Sequence, residues 1–291
     1  MLATSMFILL TVQAQEELPP FYGITVEKGM GDLISETQNT ITENGFEIVG
    51  DYHVAEKSNL YVIAFTSDEL KKLCGEFEDR GALASVLKVG LSEEGGKTEI
   101  SLLNPNYMFY AYFGDAYEKQ AKELAAIDKK AKEMLSSKFG ALSGFGGGLT
   151  AEELGKYHYK IMMPYFDDPV ELETYSGFKE GLRFIRNKLA ASGEEIKLIY
   201  EVVDEAKQTA VFGIGLLDIE MGEPHFLPII GDRHIAAMPY EIILQKDEVS
   251  MLAGKYRFAL YWPELSMGEF MKIMSTPGDV EEFMESVTQK E

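Results

Sequence analysis

The feature that most constrains the fold is a weak internal duplication of one layout of strands and helices. The run DRGALASVLKVGL aligns without gaps with DRHIAAMPYEIIL, later in the chain. Four of the thirteen positions are identical: Asp79/Asp232, Arg80/Arg233, Ala84/Ala237 and Leu91/Leu244. Each run is followed by a polar turn, a second apolar run and a proline, at Asn104-Pro105 or at Trp262-Pro263. Because the flanking elements recur in the same order, we expect two domains of one architecture.

Both halves fit the element order β-α-β-β-(x)-β-β-α. In the first half, YGITVEK from Tyr22 alternates apolar residues with period two, as a strand does. Asp32 can cap the helix that follows, and the turn Glu94-Gly95-Gly96 joins the last two strands as a hairpin. Strands in hairpin order, without β-α-β alternation, indicate an α+β fold. We therefore predict two tandem domains, each a curved antiparallel sheet packed on helices.

The second half is predicted to contain longer elements. YHYKIMMPYF from Tyr157 is predicted as its first strand, and a helix is expected from Pro169 to Ser192. A loop over residues 221–231 is expected where the first half has a short helix, and VSMLAGKYRFALYW is expected as the last strand.

These patterns divide the 291-residue chain into four segments, since two domains of ~100–150 residues fit this length. A signal peptide is predicted over 1–14, a first α+β domain ending in a long helix over 20–139, and a second, divergent α+β domain over 157–288. The segment 140–156 contains GALSGFGGGLT and is predicted as a glycine-rich linker. A phosphate-binding loop is disfavoured because no Lys-Ser/Thr pair follows the glycines.

The N-terminal run LATSMFILLTVQAQ indicates export. Its apolar part is too short to span a bilayer, which takes ~20 residues, and it ends in Val12-Gln13-Ala14, as a cleaved signal peptide does. The positively charged start of such peptides is missing, so the signal peptide is expected to be truncated; a buried terminal strand or helix is the alternative. We predict an exported protein, periplasmic or secreted, without a stable membrane anchor after cleavage.

Composition excludes several classes of function. The net charge is −21, with no basic stripe, which excludes nucleic-acid binding and disfavours anionic membrane surfaces. The single cysteine, Cys74, cannot form a disulfide within the chain and is predicted as a buried thiol. The four histidines are dispersed without the spacing of a zinc site. Neither a metal nor a cofactor is predicted.

The first half resembles the bacterial family known as domain of unknown function 302. The resemblance lies in GITVEK opening a strand, a helix ending in NGF, and VLKVGLSEEGGKTEISLLNPNYM, and it runs from Tyr22 to Met108. The second half is a divergent repeat. Its run MPYEIIL resembles the family's proline-containing penultimate strand, but Trp262-Pro263 stands where Asn-Pro is expected. The resemblance implies a TATA-binding-protein-like fold, in which a curved sheet packs around a long helix. It implies no DNA binding and no reaction.

The duplicated Asp-Arg pairs are the first candidate site. Asp79-Arg80 and Asp232-Arg233 precede equivalent strands, and a guanidinium offers a planar pair of donors to an anionic ligand group. The alternative is that each pair only ties a loop to its own domain.

The aromatic segment YMFYAYFG after Asn104 is the second candidate. Rings such as those of Tyr107, Tyr110 and Tyr112 are too many for one element face to bury, and they can line a cavity for an apolar or planar ligand. The alternative is that the rings form the packing seam between the two domains.

Three methionines, Met267, Met271 and Met274, follow helical spacing near the C-terminus. This spacing is typical of the buried face of an amphipathic helix, which is the favoured interpretation. Thioethers also bind Cu(I), which is the alternative.

Together these patterns favour an exported protein that binds a small ligand or an envelope component, without catalysis, in a sheet–helix or interdomain cleft. A small molecule or a protein is the expected partner. The alternatives are an enzyme that uses acidic residues and the paired arginines between the domains, and a structural or adhesive surface protein. No G-x-S-x-G motif or other hydrolase template is present.

Overall fold

The structure is a computed structural model that describes residues 16–157 and 164–290, so the predicted signal peptide over 1–14 lies outside the described residues. Antiparallel sheets packed against helices make up both halves, and the predicted α+β class is confirmed. None of the helices in the described ranges is long and apolar enough to cross a membrane.

The first half is built around a sheet with the strand order β3-β4-β5-β6-β2-β7. A short 3-10 helix, Gly81–Ser85, precedes β5, and the pair β1-β8 forms a separate ribbon. The elements are β1 (Glu17–Leu18), β2 (Phe21–Val26), α1 (Met30–Glu43), β3 (Glu47–Tyr52), β4 (Leu60–Thr66), α2 (Asp68–Cys74), β5 (Leu87–Glu94), β6 (Lys97–Leu103), α3 (Pro105–Phe113), α4 (Ala121–Phe139), β7 (Ser143–Phe145), β8 (Leu149–Thr150) and α5 (Ala151–Gly155).

The second half repeats this topology in a sheet with the order β10-β11-β12-β13-β9. A 3-10 helix, Asp232–Ala237, precedes β12, as Gly81–Ser85 precedes β5. The elements are β9 (Val170–Thr174), α6 (Phe178–Ala191), β10 (Ile196–Asp204), β11 (Thr209–Leu216), α7 (Glu223–Ile230), β12 (Tyr240–Gln245), β13 (Glu248–Met251), α8 (Gly254–Tyr261), α9 (Met267–Phe270) and α10 (Thr276–Thr288).

The ungapped alignment of the two runs matches equivalent positions in the two sheets. It aligns Leu87, the first residue of β5, with Tyr240, the first residue of β12. It also aligns Lys88 with Glu241, and both of these charged side chains are buried.

Local sequence explains the helices of the first half. Leu33, Thr37 and Ile41 of α1 are fully buried and lie three to four residues apart, so one stripe of the helix covers the sheet. Helix α2 begins at Ser67, whose hydroxyl accepts a hydrogen bond from the Leu70 amide at 3.1 Å. Such a cap stabilises a helix by ~1 kcal/mol.

The two halves pack reciprocally. The 3-10 helix Asp232–Ala237 lies across β5 and β6, and the equivalent helix Gly81–Ser85 lies against β11 and β12. The edge strands β3 and β10 also meet: a Cβ atom on Gly50 would lie 2.1 Å from the carbonyl oxygen of Ile199. A side chain at this point of β3 would therefore push the sheets apart.

The predicted helix from Pro169 is wrong in its first part. Residues Val170–Thr174 form β9, which pairs with β13, and α6 begins only at Phe178. In β9, Leu172 is buried between two outward-facing glutamates, which is the period-two pattern of a strand. Of the strand predicted from Tyr157, residues 158–163 lie outside the described residues.

The loop predicted over residues 221–231 is wrong, because Glu223–Ile230 form α7. Pro224 lies in the first turn, where a proline leaves no helical hydrogen bond unmade. Helix α7 thus occupies the place that α2 has in the first half.

The predicted last strand is wrong beyond Met251, because Gly254–Tyr261 form α8. Nearly all of α8 is buried, so its sequence lacks the amphipathic periodicity that marks a surface helix. Ala253 precedes α8 as Asn104 precedes α3, so Ala253-Gly254, and not Trp262-Pro263, is the counterpart of Asn104-Pro105.

The long helix predicted at the end of the first domain is α4, and it begins only at Ala121 because a 3-10 turn, Gly114–Lys119, precedes it. In the segment 140–156, β7 extends the first sheet beside β2 and β8 pairs with β1. Helix α5 follows, and Thr150 and Glu153 form a capping box at its start. The glycine-rich segment therefore forms regular structure that joins the halves.

Candidate functional site

A cleft of ≈ 690 Å³ opens between the first half and the segment that leads into the second half. Its walls come from the loop after α2, the end of α3 with the turn that follows, the end of α5, and Tyr256 of α8. Aromatic side chains make up much of its surface, including Phe77, Tyr112, Phe113, Tyr157, Phe166 and Tyr256. A volume of this size is typical of small-molecule sites.

The loop after α2 supplies an acidic wall. The rings of Phe77 and Phe113 are stacked with centroids 3.7 Å apart, and this contact holds the loop against α3. Glu76, Glu78 and Asp79 flank the stacked pair and line the cleft.

Arg80 lies behind this wall and fixes its position. Its Nε and Nη2 atoms donate to the two carboxylate oxygens of Asp79 at 2.7 and 2.9 Å, and its guanidinium lies 4.8 Å from the ring centroid of Phe166. The Arg80 amide donates to the Glu78 carbonyl at 3.1 Å and to the side chain of Gln245 at 3.2 Å. The Arg80 side chain is only 6% exposed, so it supports the wall and does not itself line the cleft.

A second wall comes from a close approach of two backbone segments. A Cβ atom on Gly114 would lie 3.0 Å from the carbonyl oxygen of Gly155, so the turn after α3 touches the end of α5. Lys119 follows in that turn and Lys156 follows Gly155, and both line the cleft.

The floor of the cleft is the contact between α3 and α8. The hydroxyls of Tyr112 and Tyr261 lie 2.7 Å apart, and the Tyr256 hydroxyl donates to the Ala111 carbonyl at 3.3 Å. The ring of Tyr112 also stacks on Phe166 at 4.9 Å. Burial raises the pKa of Tyr112 well above its ordinary value, so its hydroxyl stays protonated.

The two candidate arginines lie in different surroundings. Arg233 is 56% exposed; it forms an ion pair with Glu99 at 2.8 Å and lies 4.2 Å from the ring centroid of Phe145, away from the cleft. Asp232 is half-buried beside it. Each arginine therefore stacks on an aromatic ring, but only the Asp79-Arg80 pair lies at the cleft.

The aromatic candidates are divided between a seam and the cleft. Tyr107 is fully buried and donates to the Leu260 carbonyl at 2.6 Å, and Asn104 donates to the Pro19 carbonyl at 2.7 Å. Tyr110 stacks on Tyr117 with centroids 3.8 Å apart and does not line the cleft. Only Tyr112 has both roles, since it lines the cleft and contacts α8.

Several lining residues were not identified from the sequence. Phe166, Lys156 and Tyr256 lie in three separate segments of the chain. Neither local pattern nor spacing connects them with Asp79, because only the docking of the two halves brings them together.

A second polar cluster lies between the two sheets, away from any opening. Lys88 forms an ion pair with Glu241, and the Tyr200 hydroxyl donates to the same carboxylate at 2.6 Å. Burial lowers the pKa of Lys88, and the charge of Glu241 opposes that shift. Because these side chains are buried between the halves, they can hold the halves in register.

Arg257 and Glu223 extend this buried cluster. Arg257 donates through Nη2 to the Ala237 and Pro239 carbonyls, and its guanidinium lies 3.8 Å from the ring centroid of Tyr240. Glu223 begins α7 and accepts hydrogen bonds from the Tyr52 hydroxyl at 2.7 Å and the Ala55 amide at 2.9 Å. Both hydrogen bonds of Glu223 cross from one half to the other.

Within residues 16–157 and 164–290, no group of three His, Cys, Asp or Glu side chains converges as a metal site. Cys74 is fully buried, as predicted, and burial raises the pKa of its thiol. The interpretation of Met267, Met271 and Met274 as a buried face is wrong, since their exposed fractions are 50%, 55% and 58%. Ile273, within the same turn, fills the core instead.

Comparison with known proteins gives a fold-level likeness for part of the chain. No protein-family profile matches, and no curated protein matches. A solved structure described as an uncharacterised conserved protein DUF302 from Bacillus stearothermophilus is similar, at 18% identity and a TM-score of 0.35. The match covers 41% of this chain and 98% of that protein.

Proposed function

We propose that the protein binds a small ligand in the cleft beside Asp79 and Tyr112, without catalysing a reaction on it. The observation that carries the proposal is an open cleft of ≈ 690 Å³ lined by aromatic faces and ringed by charged groups. Aromatic walls with a few polar groups are what small-molecule sites present. The buried Lys88–Glu241 ion pair does not line that cleft.

Ligand-observed NMR with three aromatic probes tests this proposal: L-phenylalanine, 3-phenylpropionate and phenethylamine. We expect at least one of them to show saturation transfer from the protein. Ala116→Trp, at a half-buried lining position, should fill the cleft and abolish the signal. Ala191→Trp, at an exposed position on α6, should leave it unchanged. The proposal fails if none of the probes binds at millimolar concentration, or if the Ala116 variant binds as well as wild type.

We also propose that the protein acts outside the cytoplasm, on the strength of the apolar run that ends at Val12-Gln13-Ala14. Expression of the chain behind a complete positively charged start, followed by intact-mass measurement of the exported product, tests this. The expected product begins at Gln15. An uncleaved, intracellular product would contradict the proposal.

A further inference from the structure

The acidic wall of the cleft carries two carboxylates whose charge is not neutralised. Asp79 is neutralised by Arg80, and Glu76 pairs with Lys207 at 3.1 Å. Glu78 and Asp167 are exposed, and in the described part of the chain neither forms an ion pair or a side-chain hydrogen bond.

The second wall carries two ammonium groups whose charge is likewise not neutralised. Lys119 and Lys156 line the cleft and are exposed, and neither has an ion-pair partner among residues 16–157 and 164–290. The close contact of Gly114 with Gly155 brings together the two segments that carry these lysines. The contact of Arg80 with Phe166, the residue before Asp167, brings together the two segments that carry the carboxylates.

Aromatic surface lies between the two charged walls. The Phe77–Phe113 stack and the Tyr112–Phe166 stack both border the cleft, and Phe113 connects the acidic loop to the Gly114 turn. A ligand that reaches both walls must cross these rings, which favour an apolar or aromatic body.

From this arrangement we infer that the cleft takes a dipolar ligand, with an ammonium group at one end, a carboxylate at the other and an aromatic or apolar body between them. The inference rests on the proposed function and names the class of ligand. An ammonium meets Glu78 and Asp167, a carboxylate meets Lys119 and Lys156, and the body stacks on the rings. A free short peptide with an aromatic or apolar side chain has this chemistry.

Charge complementarity of this kind selects among ligands more than it tightens binding. Each pairing at an exposed rim is worth ~1 kcal/mol or less, which is roughly fivefold in affinity. A ligand with a single charge satisfies one wall and leaves the other unmatched. The protein's net charge of −21 further disfavours a purely anionic ligand.

Isothermal titration of wild type with four tripeptides tests the inference: Gly-Phe-Gly, its N-acetyl form, its C-terminal amide, and the doubly blocked form. We expect the free peptide to bind tightest, each single block to weaken binding roughly fivefold, and the double block to weaken it further. L-phenylalanine, whose charges are adjacent, is a further control: tighter binding of the amino acid than of the free peptide would overturn the inference that the two charges are held apart.

Two paired variants assign the walls. Glu78→Gln with Asp167→Asn should abolish the effect of N-acetylation and preserve that of amidation, and Lys119→Gln with Lys156→Gln should do the reverse. Glu118→Gln and Lys122→Gln, exposed neighbours that do not line the cleft, are the matched controls and should change neither. Equal binding of all four peptides, or tighter binding of a singly charged form, would overturn the inference and leave the proposed function standing. Failure of all aromatic probes would instead remove the proposed function.

Discussion

At the residue scale, Glu223 is the group whose protonation most directly links the two halves. Its carboxylate accepts hydrogen bonds from Tyr52 and Ala55, and complete burial raises its pKa to about 7. In the unfolded chain its pKa returns to ~4.3. The folded protein therefore binds this proton more tightly than the unfolded chain does.

The stability that this proton contributes should therefore be fully present below about pH 4.3 and be lost as the pH rises through about 7. Glu223→Gln removes the titration. We expect the free energy of unfolding of wild type, relative to this variant, to fall between about pH 4 and pH 7 by up to ~1.4 kcal/mol per pH unit. Urea denaturation across this range measures it. Glu220→Gln, at an exposed position three residues before α7, is the control, and parallel curves for wild type and Glu223→Gln would contradict the prediction.

The Lys88–Glu241 pair makes a second prediction at this scale. Lys88→Met leaves the Glu241 carboxylate buried without its countercharge, which typically costs ~3–5 kcal/mol. Replacing both residues, as Lys88→Met with Glu241→Leu, removes the unpaired charge and should recover most of the loss. Urea denaturation of the two single variants and the double variant gives the coupling energy. If the double variant were as unstable as Lys88→Met alone, the loss of stability would not come from the unpaired charge of Glu241, and the prediction would be wrong.

At the scale of elements, the approach of β3 to β10 depends on the missing side chain of Gly50. Gly50→Ala places a Cβ atom against backbone of the other half, and we expect it to destabilise the protein by ~1–3 kcal/mol. Gly193→Ala, at an exposed glycine with nothing within 4 Å of its added Cβ, is the matched control. Thermal unfolding of the two variants compares them, and equal melting temperatures would rule out a close contact of these strands.

The elements that sequence pattern predicts well are those with one buried face. The turn at Gly95 and Gly96 between β5 and β6 occurs as predicted, because positive φ angles there favour glycine. Helix α8 was missed because nearly every side is buried, which removes the periodicity that distinguishes a helix from a strand. Helix α7 was missed because its prolines and flanking glycines indicate a loop, although its buried residues follow helical spacing. The short strand β9 was missed because its pairing partner, β13, lies far along the chain.

The cleft could be predicted only in part, for a related reason. Asp79 and Tyr112 were identified, since an Asp-Arg pair and a dense aromatic run are visible locally. Arg80 and Arg233 have the same sequence context, yet one is buried at the cleft and the other exposed at the opposite interface. What separates them is the docking of the halves, which no local pattern encodes.

At the scale of the whole molecule, the reciprocal packing predicts a single unfolding transition. Each 3-10 helix lies on the sheet of the other half, so neither half can open without exposing the core of its neighbour. We expect differential scanning calorimetry of the full chain to give equal calorimetric and van't Hoff enthalpies. Two resolved transitions would show instead that the halves unfold independently.

The position of the buried ion pair has a consequence for how such an arrangement can arise. Lys88 and Glu241 occupy corresponding places in the two repeats, and they meet each other. If two identical subunits were joined through the same surface by a two-fold axis, lysine would face lysine, or glutamate would face glutamate, in the least tolerant place for like charges. Opposite charges at that point become available only when the two copies differ. Covalent linkage of the repeats lets each mutate separately, and it thereby permits an interface that a symmetric dimer of identical chains is unable to form.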